Sequence, residues 1–90
     1  YDNKKEYDRA IAEYTEAIRI KPDYALAYNG RGFAYGKKNE YERAIADYTE
    51  AIRIDPALAL AYTNRAVAYE AKGDSAKAKA DRAKAAELRP

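Results

Sequence analysis

The groups in this chain that could do chemistry are carboxylates and phenols. Its 90 residues hold fifteen Asp and Glu and ten Tyr, with no His, Cys, Met or Trp. Without imidazole or thiol there is no disulfide framework, no nitrogen–sulfur metal set, and no Cys–His or Ser–His nucleophile. Asp47 and Glu50 stand three residues apart, on one side of a helix. No base or nucleophile converges on them, so they are read as an outward-facing solvated pair. The tyrosines could suggest a redox relay or an aromatic cage. They recur at helical spacing among alanines, which makes them core fillers with a hydroxyl at the edge. No catalytic residue, cofactor or metal site is therefore expected.

The charge balance points the same way. Lys and Arg number 17 against 15 acids, a net charge of +2 with both signs interspersed. That pattern favours solubility and gives no reason to expect a nucleic acid or an anionic membrane as partner. No apolar run approaches the roughly 18 residues of a membrane span, and no secretory segment is visible. The absence of Cys does not fix a compartment; a cytoplasmic setting is the expectation.

A repeat positions these residues. Residues 7–22, YDRAIAEYTEAIRIKP, return at 41–56 as YERAIADYTEAIRIDP, with thirteen of sixteen positions identical. A lag of thirty-four residues marks an array of one repeated unit. In the first copy Ala10, Ile11, Tyr14, Ala17 and Ile18 fall on one helical face. Arg9, Glu13, Glu16 and Arg19 fall mostly opposite, and Glu16 can pair with Arg19.

Five helices are predicted, at about 6–20, 23–38, 40–54, 55–72 and 75–88. Pro22 stops the first by denying it an N–H. Asp55 and Pro56 look like the N-cap and first turn of the fourth. Gly73 supplies a stop before the last, and Asp74 or Ser75 a cap. Residues 1–5 align at the same lag with 35–39, so the chain is expected to open on the last turn of a helix. Gly30, Gly32 and Gly36 each cost about 1 kcal/mol in a helix interior. Gly32 suits a close helix approach; Gly30 and Gly36 show no such reason. Arg31 and Arg65 are expected to lay their stems on the core with their heads outward.

The last helix keeps the register and loses the apolar stripe, since Lys79, Arg82 and Ala86 replace Ile45, Tyr48 and Ile52. It is read as the solvating end of an array rather than a basic patch for an acidic partner. Short links favour antiparallel neighbours. The fold class is all-α, antiparallel helix–turn–helix repeats of thirty-four residues. The chain is one array: a partial repeat at 1–22, mostly its second helix, then full repeats at 23–56 and 57–90.

Such a unit resembles the tetratricopeptide repeat, over essentially the whole chain. The pattern's aromatic early in the first helix is met by Tyr28 and Tyr62, its small residue by Gly32 and Ala66, and its next aromatic by Tyr35 and Tyr69. In the second helix Ala10, Ala44 and Ala78, then Tyr14 and Tyr48, then Ala17, Ala51 and Ala85 follow, with Pro22, Pro56 and Pro90 after it. Arg31 and Arg65 depart from the usual Leu, and Arg82 from the aromatic. The stretches 64–69 and 46–56 are similar to prokaryotic members of the family.

The resemblance implies a right-handed superhelical solenoid and a protein or peptide partner held in the concave groove of the first helices. Candidate groove residues are Leu26, Asn29, Gly30, Phe33 and Lys37 in one unit, and Leu60, Thr63, Asn64, Val67 and Ala71 in the next. Family members often hold peptide backbone with an Asn two residues after the aromatic; Asn64 follows Tyr62 so, and an amide can donate and accept at once. The chaperone-binding subgroup clamps a terminal carboxylate with Lys and Arg. Leu26, Gly30 and Leu60 stand at those sites here, so chaperone tails are disfavoured. The alternative is self-assembly: the stripe of Ala10, Tyr14 and Ala17 lacks a covering helix in this chain, and a homo-oligomer could form on it.

Overall fold

A computed structural model describes residues 4–89. The chain folds as α1 (Lys4–Ile20), α2 (Ala25–Lys37), α3 (Tyr41–Ile54), α4 (Ala59–Ala71) and α5 (Ser75–Leu88). Each helix packs on its neighbours in sequence, and α2 also touches α4. The five make a helical solenoid of 33 × 30 × 20 Å in which α2 and α4 lie side by side. No described helix is long and apolar enough to cross a membrane.

Helix ends follow local chemistry, and some differ from the sequence expectation. Lys4 and Lys5 belong to α1 rather than to a turn; residues 1–3 of the expected opening turn, and Pro90, lie outside the described residues. The fourth helix starts at Ala59, not at Pro56. Asp55 instead builds a turn: its Oδ1 accepts the Ala57 N–H at 3.2 Å and its carbonyl accepts that of Leu58 at 3.1 Å. The second helix likewise starts at Ala25, two residues past Asp23. Asp74 caps α5 by accepting the Lys77 N–H at 3.2 Å.

The tight links after α2 and α4 share one geometry. Asn39, at φ 65°, and Gly73, at φ 87°, occupy the left-handed region at equivalent places in the unit. The Glu40 N–H reaches back to the Tyr35 carbonyl at 2.9 Å, and the Asn39 N–H to that of Gly36 at 2.9 Å. Asp74 and Gly73 do the same to Tyr69 and Glu70. This is the Schellman arrangement, which satisfies helix-end carbonyls and turns the chain sharply.

The core is built mainly of alanine. Ala44, Ala51, Ala61, Ala66 and Ala78 are fully buried, and Tyr48, at 3% exposed, is the large side chain among them. Small residues let the helix axes approach until the few aromatics fill what remains. Gly32 is required for this, since a Cβ there would stand 2.7 Å from Tyr48 Cε1 and 3.1 Å from the Ala44 carbonyl oxygen. Gly30 has a reason the sequence hides. A Cβ at Gly30 would lie 2.4 Å from Tyr14 Cζ, so the ring of α1 rests directly on the backbone of α2.

Arg31 and Arg65 do not point their heads outward. Arg31 donates from Nε and Nη2 to Asp47 at 2.9 and 2.8 Å, and from Nη1 to Thr15 Oγ1 at 3.2 Å. Thr15 in turn donates to the Ile11 carbonyl at 2.7 Å. The guanidinium also lies 5.5 Å from the Tyr28 ring and 6.0 Å from that of Tyr35. One side chain of α2 thus ties α1 to α3. Arg65 repeats the arrangement with Asp81, Thr49, Tyr62 and Tyr69, tying α3 to α5. The bidentate bond to Asp47 is the main influence raising the Arg31 pKa against desolvation, and that to Asp81 acts likewise on Arg65. Asp47 is therefore buried, not on the outward face where sequence pattern placed it. Its burial is tolerable because both oxygens are paired.

Candidate functional site

The face where α2 and α4 run together carries two hollows. The first, about 340 Å³, is floored by Tyr48 and Ala68 and walled by Phe33, Lys37, Asn64 and Val67. The second, about 360 Å³, lies toward α1, between Tyr14, Asn29, Gly30 and Leu60. Phe33 and Asn64 line both, so they form the saddle between them. Phe33, Leu60 and Val67 are each about half exposed, at 48%, 53% and 58%. Exposed apolar side chains gathered around concavities mark binding surfaces more often than isolated ones do.

The helical register explains why these side chains meet. Phe33 and Lys37 are four apart on α2, and Lys37 Nζ lies 5.2 Å from the Phe33 ring centroid. Asn64 and Val67 are three apart on α4, and Ala71 lies a turn further along the same hollow. Asn64 Nδ2 donates to Asn29 Oδ1 at 3.2 Å, a bridge between α2 and α4. Asn29 is buried, at 7% exposed, so it supports the groove from beneath rather than presenting its amide to solvent. Asn64 is half-buried at the rim.

The remaining expected residues divide. Leu26 is exposed but lines neither hollow. Thr63 turns toward the end of α5, where Arg89 Nη2 lies 3.5 Å from its Oγ1. It lines neither hollow. The structure adds Tyr48 and Tyr41 of α3 to the first hollow, and Tyr7, Ala10 and Tyr14 of α1 to the second. Sequence pattern read the tyrosines and Ala10 as packing residues: Tyr48 is buried in the core with Tyr41 packed against it, while Tyr7, Ala10 and Tyr14 are half-buried along the second hollow. Burial pushes the Tyr48 phenol pKa up, with the nearby Asp47 charge adding to it, so the floor of the first hollow stays neutral. Among the described residues no group of three or more His, Cys, Asp or Glu gathers as a metal site.

A tetratricopeptide-repeat family model matches residues 3–39 and 35–73, and a second matches 59–90. The chain belongs to the tetratricopeptide-repeat family. Among solved structures it is similar to the second such domain of Spaghetti (RPAP3), bound to the HSP90 peptide SRMEEVD. That likeness is 35% identical at a TM-score of 0.89, over 92% of this chain and 77% of that one. A second likeness is to the TPR2B domain of yeast Sti1 in its pHsp70 complex, at 33% identity and a TM-score of 0.91, covering 94% of this chain and 68% of that one. A third is to MamA, at 35% identity and 0.88, where the chain spans about half of the matched protein, 48%. Comparison with curated protein sequences finds no significant match.

Proposed function

We propose that the chain is a protein–protein interaction module that holds a peptide or helical segment on the face shared by α2 and α4, in a scaffold or adaptor role. The observation that supports this most is the pair of apolar-walled hollows joined at Phe33 and Asn64. A peptide laid across that saddle would bury the exposed Phe33, Leu60 and Val67 and meet the Asn64 amide, which can serve either a C=O or an N–H. The similar domains of Spaghetti and Sti1 were solved with chaperone peptides, which makes a peptide the first ligand to seek.

The test is selection of random displayed peptides on the immobilised chain, followed by binding of the selected peptides to a Phe33→Ala/Val67→Ala variant. Both side chains are about half exposed, so the variant should melt near the parent temperature while losing the peptides. Undiminished binding would move the site elsewhere. Asn64→Ala is a poorer probe, because it strips Asn29 of its partner.

A second reading is self-assembly through α1. Ala10, Tyr14 and Ala17 are half-buried, whereas their equivalents in α3, Ala44, Tyr48 and Ala51, are at most 3% exposed. Light scattering across concentration tests it; a strict monomer at the highest concentration removes it.

A further inference from the structure

The chemistry of the two hollows narrows the ligand, given the peptide-groove reading above. Among the described residues lining either, Lys37 is the one Asp, Glu, Lys or Arg. The neighbouring cations are already engaged: Lys38 with Asp8 and Glu40, Lys72 with Glu42, Arg43 with Glu40. Arg31 and Arg65 are committed to Asp47 and Asp81. Lys37 meets the Phe33 ring instead, and no carboxylate lies within ion-pair distance of it among the described residues. Among the described residues the groove therefore offers one unneutralised positive charge, at the edge of otherwise neutral and largely apolar walls. Each hollow is at the small end of ligand-site volumes, about 300–1,000 Å³, which suits a side chain rather than a cofactor.

We propose that the groove takes an extended peptide carrying two aliphatic side chains, one for each hollow on either side of the Phe33–Asn64 saddle, and a single carboxylate that meets Lys37. Charge complementarity selects this occupant over a polyacidic tail, because one cation balances one carboxylate. Further acidic groups would be desolvated against apolar walls with nothing to pair them.

The test is fluorescence polarisation with labelled, N-acetylated, C-amidated peptides. Two Leu are separated by one, two or three Ala and followed by Glu; companion sets replace Glu with Lys, or both Leu with Ser. SRMEEVD serves as the acidic reference, and backbone amide shifts of the labelled protein locate each contact. A Leu-pair peptide with Glu should bind at least about tenfold tighter than its Ser counterpart. Its shifts should fall on the residues lining the hollows. Lys37→Glu should reverse the preference between Glu and Lys peptides. The proposal is overturned if no Leu pair at any spacing outbinds its Ser counterpart, or if Lys37→Glu leaves the charge preference unchanged. If SRMEEVD then still shifts the α2 and α4 amides, only the ligand chemistry is lost and the peptide groove stands. If no peptide shifts them, both readings fall.

Discussion

Arg31 grips Asp47 through two parallel hydrogen bonds, at 2.9 and 2.8 Å, with 9% of the aspartate side chain left exposed. The same fork joins Arg65 to Asp81, each bond 2.8 Å long. Each fork links the two helices of one unit, and its third nitrogen reaches the Thr of the unit before. The spacing between successive units thus depends on a polar contact as well as on alanine packing.

Asp47→Ala leaves the Arg31 guanidinium partly buried and without its carboxylate. The cost expected for breaking such a pair is about 2–3 kcal/mol, below the fully buried case because Arg31 keeps some solvent. In a domain of this size that lowers the thermal midpoint by roughly 10–20 °C. Arg31→Lys keeps the charge and loses the fork, so it should fall between parent and Asp47→Ala. Thermal melts of the three proteins check the order; an Asp47→Ala midpoint at the parent value would show that the fork contributes nothing.

Gly36→Ala and Gly30→Ala should part company although both sit inside α2. The nearest atom to a new Cβ at Gly36 is Ala44 Cβ at 4.0 Å, an ordinary contact. That substitution should add about 0.5–1 kcal/mol through helix propensity alone. At Gly30 the same gain is opposed, since the Tyr14 ring must swing off α2 and lose its packing; a net loss of about 1 kcal/mol is expected. Adding Tyr14→Ala to Gly30→Ala should remove the clash, so the two changes should be non-additive. Urea midpoints decide, and equal stabilisation by both alanines would mean that Tyr14 does not rest on Gly30.

The two left-handed links give a matched pair of tests. Gly73→Ala puts a Cβ into φ 87° and should cost about 1–2 kcal/mol. Asn39→Gly relieves φ 65° but loses the acceptor for the Tyr41 hydroxyl at 2.7 Å, so it should be close to neutral. Asn39→Ala loses both and should be the worst of the Asn39 variants. If Gly73→Ala were silent by chemical denaturation, that turn would not hold its left-handed form in solution.

How far the sequence foretold this depends on which residues interact locally. The five helices follow from apolar spacing and from breakers such as Pro22 and Gly73, whose effects act within a turn or two. The start of α4 at Ala59 is not legible locally, because Asp55–Pro56 satisfies both a capping pattern and a turn pattern and only the path into α4 separates them. The Arg31 fork was hidden for a different reason. An Arg on an apolar stripe looks like a stem with a solvated head, and its partner lies sixteen residues away on another helix. A signal did exist: Thr15, Arg31 and Asp47 all keep their identity at the repeat lag, as Thr49, Arg65 and Asp81. In the candidate groove, Phe33, Leu60 and Val67 are exposed as their helical positions imply. The turning of Thr63 toward Arg89 and the sinking of Asn29 beneath Asn64 depend on side-chain neighbours that periodicity does not specify.

Tyr48 should make the fold sensitive to alkali in a way a Phe there would not. Its phenol is almost wholly buried beside Asp47, and both burial and that negative charge oppose ionisation, burial the more strongly. In the unfolded chain the same phenol ionises near pH 10. Above that pH the unfolded state has given up a proton that the folded state retains, so stability falls as pH rises; below it the contribution is fully present. Tyr48→Phe keeps the ring and removes the proton. Parent and variant should therefore unfold at similar urea concentrations at pH 7. Between pH 10 and 11 the parent should lose up to about 1.4 kcal/mol more than the variant. Parallel pH profiles for the two proteins would mean that the phenol ionises as freely in the folded chain as in the unfolded one.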